Sequence, residues 1–198
     1  MDFDTVIKKR RSVRAFKEKK VSWKDMLEAV DSALQGPWAD NICHLKFLII
    51  EEPSAISKIA SLTDQSWIQD ATGMIVVCSK DARLEKMHGE RGRVYGKQQT
   101  GAAINTLVLK LVNDGLAACW IGSFDNHLVK QTLSIPEDVE VEALIPIGYE
   151  DTKHPKNKRT TRKRALDTVL FWEQWGQSSR PALFREDKKR PEHEGFGH

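Results

Sequence analysis

Residues 115–124 read Gly-Leu-Ala-Ala-Cys-Trp-Ile-Gly-Ser-Phe, and they follow the longest helical period in the chain. Between residues 93 and 113, Ile104, Leu107, Val108, Leu111 and Val112 recur at three- and four-residue steps, which predicts a helix with one apolar face. Gly115 supplies its left-handed stop. A central core helix running straight into the apolar stretch 117–121 predicts a buried strand behind it. That strand ends at Gly122, whose missing side chain lets the neighbouring amides of Ile121 and Ser123 approach a flat ligand; a plain turn before a helix opened by Asp125 reads these residues equally well.

Working outward, residues 4–10 read as a short helix. Ser22-Trp23-Lys24-Asp25 resembles a capping box opening a second helix as far as Leu34, with Met26, Leu27, Val30, Ala33 and Leu34 along one face, ended by Gly36-Pro37. Residues 45–50 and 74–79 are short apolar runs that predict buried strands, with a helix at 53–62 and a loop at 63–70 between them. After the Asp125 helix, which stops before Pro136, an alternating strand runs over 139–147 and closes at Gly148. Helices and strands are mixed throughout, and no internal repeat is visible. From Trp175 onward no apolar period is sustained, so residues 1–175 read as one domain and 176–198 as a C-terminal arm or tail.

At 198 residues, 40% of them hydrophobic, the chain can bury one sizeable core. Cys43, Cys78 and Cys119 are far apart and odd in number, which argues against a disulfide framework and fits a reducing cytoplasm. The acidic start, Met1-Asp2-Phe3-Asp4, and the shortness of every apolar run predict neither an export signal nor a membrane span. A net charge of +3 is too small to imply a nucleic-acid partner, although positive charge gathers at residues 8–20 and 153–164.

Those two clusters hold the candidate ligand-binding groups. Arg10-Arg11-Ser12-Val13-Arg14 follows a helix and leads into an extended segment, so several donors can converge on one anion. Arginine's planar fork matches phosphate oxygens, and each charge-assisted bond contributes roughly 1.5–3 kcal/mol. Taken alone, such a string is more often a solvated basic turn. The second cluster, which includes Arg162, Lys163 and Arg164, reads as a solvated face or as the other wall of the same phosphate pocket. Between them, Pro37-Trp38-Ala39-Asp40-Asn41-Ile42 sets Asn41 where its amide can pair with a heterocycle, or where it simply makes a turn. Gly89, Gly92 and Gly96 have the wrong spacing for a Rossmann or P-loop turn, the six histidines show no metal-ligand spacing, and no nucleophile triad is recognisable.

In this order, the Arg10–Arg14 turn, the Asn41-Ile42 step before a strand, the long helix with GLxxxWIGxF at 115–124 and the basic segment before Leu166-Asp167-Thr168-Val169 resemble the nitroreductase-like family of FMN enzymes. The resemblance runs from about Phe3 to Trp175. It implies an α+β fold with a mostly antiparallel central sheet flanked by helices, and a homodimer with an FMN in each of two clefts at the interface. It also implies that Arg10, Ser12 and one or more of Arg162, Lys163 and Arg164 hold the phosphate, that Arg14 and Asn41 face the pyrimidine edge, and that Arg11, in the same turn, is a further cofactor-binding residue. Ile121, Gly122 and Ser123 would lie along the N5 region. Two departures stand out: Cys43-His44 replaces the usual Gln-Pro after the Asn-x step, and Gln99 stands where members often carry an acid.

The activity so implied is hydride transfer from NAD(P)H through FMN to a small electrophile such as a nitroaromatic or quinone, by a ping-pong mechanism that needs no catalytic side chain and no metal. Trp38, Trp67 and Phe124 are candidate walls of the shared pocket. Two rivals remain: the same fold using reduced flavin for dehalogenation or for flavin fragmentation, and a flavin-free basic module for RNA or an acidic partner. The second rival is weakened because the basic residues lack interleaved aromatics for stacking bases.

Overall fold

The computed structural model describes residues 1–155 and 165–180. Two units are distinguished, Met1–Arg159 and Thr160–His198, so the boundary expected at 175 lies inside the second unit.

Within the first unit the elements run α1 (Phe3–Lys9), β1 (Phe16–Lys17), α2 (Trp23–Leu34), β2 (Leu45–Ile50), α3 (Pro53–Ala60), β3 (Gly73–Ser79), α4 (Ala82–His88), α5 (Glu90–Asn113), β4 (Ala117–Ala118), α6 (Asn126–Leu133) and β5 (Glu140–Glu150), with short 3-10 turns at Ala39–Asn41 and Ser66–Asp70. The sheet order is β1-β5-β3-β2, β4 also pairs with β5, and all these strand pairs are antiparallel. The fold is therefore α+β with an antiparallel sheet, as the sequence implied.

Every residue of β3 is buried, which explains its unbroken apolar run. Met74, Val76 and Cys78 face a core shared with Ile56 and Ile59 of α3 and Val129 of α6. Ile75 and Val77 face the opposite core, filled by Met26 and Ala29 of α2 and by Ile104, Leu107 and Leu111 of α5. Helices thus cover both sheet faces, and α5 supplies the largest apolar contribution on its side.

Local chemistry sets the helix starts. Ser22 caps α2 by accepting from the Lys24 amide at 3.2 Å, and Asp125 caps α6 by accepting from the Leu128 amide at 2.9 Å. Of the predicted face of α2, Met26 and Ala33 are buried and Val30 packs partly buried against the same core, joined by Ala29, whereas Leu27 and Leu34 are 51% and 41% exposed. The small side chains of Ala29 and Ala33 let α2 sit close to its neighbours, and the face that carries Leu27 and Leu34 turns outward. Strand β5 runs through Gly148 instead of closing there, because β1 pairs with its last residues, Phe16 opposite Glu150 and Lys17 opposite Tyr149; the Phe16 side chain comes so close that a Cβ on Gly148 would sit 2.7 Å from its ring.

In the second unit, residues 165–180 carry a 3-10 turn at Leu166–Thr168, a tilted ring pair of Phe171 and Trp175 at 4.8 Å, and Arg180 over the Trp172 ring at 5.6 Å. Arg162, Lys163 and Arg164 lie outside the described residues, as do residues 181–198 of the expected arm.

Candidate functional site

Arg10 is the C-cap of α1, its amide bonded to the Val6 carbonyl at 2.9 Å, and its backbone turns the chain out of the helix into an extended run. That run lies alongside β4: Ser12 bridges Ala118 in parallel, and the Val13 amide donates to the Ala118 carbonyl at 3.1 Å. Alternate side chains then point to opposite sides. Val13 and Ala15 are buried at 3% and 5%, while Ser12 and Arg14 are exposed. By the same alternation Arg10 occupies a position on the Ser12 side.

Arg11 falls on the other side. Its guanidinium is bonded to the Glu150 carboxylate at the end of β5, and it lines a cleft of about 480 Å³ with Lys8, Lys9 and Val13. The structure therefore separates Arg11 from Ser12 and Arg14, with which the sequence grouped it.

The pairing with β4 brings the basic turn to the segment 115–124, in which only Ala117–Ala118 form a strand and Ile121 a single bridge, a shorter strand than the 117–121 expected. Burial pushes the Cys119 thiol pKa up; the nearby charge of Arg14 and a hydrogen bond with Ser12 pull it down, so all three side chains share one locality. Sequence reasoning named two of the three; Cys119 was visible only as a core-sized residue in an apolar strand. Two residues on, Ile121 is fixed to β5 by reciprocal backbone bonds with Leu144, both 3.0 Å. Beyond it Gly122 and Ser123 are exposed, and nothing lies within 4 Å of where a Gly122 Cβ would be. Phe124 is half-buried against the core next to the Asp125 cap.

The Asn41 loop is built differently. Asp40 and Asn41 both adopt left-handed φ, 48° and 57°, a conformation that costs non-glycine residues of order 1 kcal/mol or more each and persists only where neighbours hold it. Here the neighbours are on α5, α4 and α2. The Ala39 amide donates to Gln99 Oε1 at 2.6 Å, His88 Nε2 lies 2.9 Å from Asp40 Oδ2, and the Trp38 indole donates to the Leu34 carbonyl at 2.9 Å. Asn41 itself is exposed. Trp38 is half-buried, edge-on to His44, and lines a cleft of about 310 Å³ with Tyr95 and Gln98. Trp67 is a core residue instead of a wall, only 8% exposed and packed 6.4 Å from the Phe16 ring.

His44, Gln99 and Thr100 are buried polar side chains at 4%, 6% and 3% exposure, and they bond to one another beneath this loop. The sequence marked His44 and Gln99 as separate departures; that both fall within reach of the Asn41 step was the available signal. Among the described residues no group of three or more potential ligands could hold a metal ion, and no helix is long and apolar enough to cross a membrane.

The arrangement offers an exposed hydroxyl and guanidinium on one face and unobstructed backbone at Gly122. A flat, anionic ligand fits both features better than a peptide or a metal.

A profile described as the Nitroreductase family matches residues 57–149, from α3 through most of β5. A protein of Methanothermobacter thermautotrophicus that carries the provisional name NADH dehydrogenase/NAD(P)H nitroreductase is 29% identical over 154 residues, covering 75% of this chain and 78% of its own. An iodotyrosine deiodinase of Thermotoga neapolitana is 23% identical over 168 residues, covering 77% of this chain and 90% of its own. Among solved structures, a nitroreductase family protein from Clostridium novyi superposes with a TM-score of 0.71 at 26% identity, covering 89% of this chain and 96% of that one. With the antiparallel sheet, the long core helix and the β4 segment all in place, the chain has a nitroreductase-like fold and is similar to proteins of the nitroreductase family.

Proposed function

We propose that the chain is an FMN-dependent oxidoreductase that carries hydride from NAD(P)H to a small electrophilic acceptor, a nitroaromatic or quinone, by a ping-pong mechanism. The observation that carries this reading is the meeting of Ser12 and Arg14 with Cys119 at the strand whose continuation, past Ile121, opens at Gly122.

When bound, FMN supplies the redox chemistry, so the chain need only bind, orient and tune it. Ser12 and Arg10 would hold the phosphate, joined by one or more of Arg162, Lys163 and Arg164. Arg14 would place positive charge at the pyrimidine edge, favouring the electron-rich form, and Asn41 would approach that edge. The amides at Ile121, Gly122 and Ser123 would flank the ring, and Trp38 and Phe124 would wall the acceptor's space. A homodimer with FMN at its interface belongs to this reading. The apolar stripe Trp23, Leu27 and Leu34 on α2, exposed by 50%, 51% and 41%, supports a covered surface. Three free cysteines support a reducing compartment, the cytoplasm.

The likeness to a deiodinase favours a second reading with the same cofactor: reductive removal of a halogen from an aromatic substrate. One experiment separates the two. Purified chain is loaded with FMN, its flavin spectrum is followed on adding NADH or NADPH, and the reduced protein is offered a nitroaromatic, a quinone or an iodinated phenol. Bleaching followed by nitro or quinone reduction supports the proposal, and iodide release supports the second reading. A chain that leaves FMN free in solution overturns both.

A further inference from the structure

Beneath the Asn41 loop, four hydrogen bonds run in a single direction through five groups. The Ala39 amide donates to Gln99 Oε1 at 2.6 Å, Gln99 Nε2 reaches His44 Nδ1 at 3.1 Å, His44 Nε2 reaches Thr100 Oγ1 at 3.1 Å, and Thr100 Oγ1 donates to the Gly96 carbonyl at 2.8 Å.

The direction is forced. A backbone amide can only donate, so the oxygen of Gln99 must face Ala39 and its nitrogen must face His44 and the Ile42 carbonyl, 3.4 Å away. His44 Nδ1 must then accept, which puts the imidazole proton on Nε2. Thr100, whose proton goes to Gly96, accepts it.

We propose that Gln99 and His44 are positioning residues that hold the 38–42 loop in its strained form through this chain, and that protonation of His44 reverses the chain and releases the loop. The consequence for flavin contact rests on the role proposed above for Asn41. A second proton on His44 sets an N–H against the Gln99 amide nitrogen. Turning the Gln99 amide over satisfies His44 but sets NH2 against the Ala39 N–H, so one of the two must let go. Gln99 is fixed within α5, and His44, just before β2, is tied down by its carbonyl accepting from the Lys80 amide at 2.9 Å; Ala39 sits in a loop.

The charges around His44 come from three elements. Asp81, at the N-cap of α4, sets Oδ1 3.6 Å from His44 Nε2, and that oxygen is buried without a hydrogen bond. Glu142 of β5 also favours the cation, while Lys97 of α5, bonded to Glu142, opposes it. Burial outweighs the two acids and pulls the His44 pKa below its ordinary value, so the relay stands as drawn at neutral pH. The orphan oxygen of Asp81 is placed to receive the imidazolium when it forms.

Hydrogen exchange of the Ala39 amide, corrected for intrinsic rate, reads the relay in the intact chain without ligand, while NMR follows the His44 ring. In the wild type, Ala39 protection should fall by about tenfold or more as His44 protonates, with β3 amides unchanged. Gln99→Leu should leave Ala39 unprotected at every pH. Gln99→Glu offers acceptors to both Ala39 and His44, so His44 should titrate at higher pH while Ala39 stays protected throughout. Protection that is flat across the wild-type His44 titration overturns the proposal, as does wild-type protection in Gln99→Leu; if that variant fails to fold, the wild-type and Gln99→Glu series decide. Parallel FMN titrations should show Gln99→Leu binding several-fold more weakly; affinity equal to wild type overturns the loop's claim on the site. A wild type that protects Ala39 but ignores FMN sinks the functional reading and leaves the relay standing.

Discussion

Ser12 and Arg11 are neighbours in sequence with opposite surroundings, and the difference can be measured. Ser12 faces the locality of Cys119 and Arg14, whereas Arg11 is bonded to Glu150. Ser12→Ala should leave the melting temperature of flavin-free protein within about a degree, yet weaken FMN binding roughly tenfold, the loss of one charge-assisted bond. Arg11→Ala should do the reverse, costing about 0.5–1 kcal/mol of apo stability for a partly exposed ion pair with little change in FMN affinity. Isothermal titration beside urea denaturation would expose an exchange of the two patterns, which would place the phosphate on the Arg11 side. His44 adds a pH term. Its folded pKa is depressed, so below its ordinary value of 6.5 the unfolded chain binds more protons than the folded one, and stability falls until the folded pKa is passed. Stability should therefore be full above pH 6.5 and lower at pH 5. In His44→Gln that part of the loss should disappear; an identical acid slope in both proteins would refute it.

At the scale of elements, what periodicity carries was legible and what close packing decides was not. Helix α5 announced itself by apolar recurrence, and α2 and α6 by their capping residues. Strand β1 is two residues long, and α4 follows β3 with one buried side chain, Leu84, so neither repeats a pattern often enough to be seen. The spacing of glycines 89, 92 and 96 does not suit a phosphate loop, and their packing role needs coordinates. Gly89 turns with φ 58° between α4 and α5, and Gly92 lets the two helices touch: a Cβ there would sit 2.4 Å from the Leu84 carbonyl oxygen. Alanine in an exposed helix interior normally gains about 1 kcal/mol over glycine. Here the obstacle is backbone, which cannot swing aside, so Gly92→Ala should destabilise by about 1–3 kcal/mol instead. Equilibrium denaturation gives the sign directly, and a stabilised variant would show that α4 does not pack on α5 as described.

At the scale of the molecule, the sequence offered candidate motifs but not which of them meet. Residues 10–14 and 115–124 come together because β4 pairs with the extended run after α1, a long-range register that no local pattern encodes. The relay below Asn41 was hidden for a related reason: Gln99 and His44 belong to different elements, and only the fold shows that one departure from the family pattern answers the other. If the assembled site holds FMN between two subunits, ligand and partner must stabilise the fold together, because both bind only the native form. Flavin-free protein with FMN added to about a hundred times its dissociation constant should gain ~2.7 kcal/mol. For a chain of this length that corresponds to a rise of roughly 5–10 °C in melting temperature. Riboflavin, which lacks the phosphate that Arg10 and Ser12 are proposed to hold, should give much less. The FMN-loaded melting temperature should also climb with protein concentration, as dissociation of a dimer requires, with sedimentation reporting two chains. Equal shifts from FMN and riboflavin would remove the phosphate from the argument. A concentration-independent transition with a monomeric sedimentation coefficient would remove the shared interface, leaving each chain to bind its flavin alone.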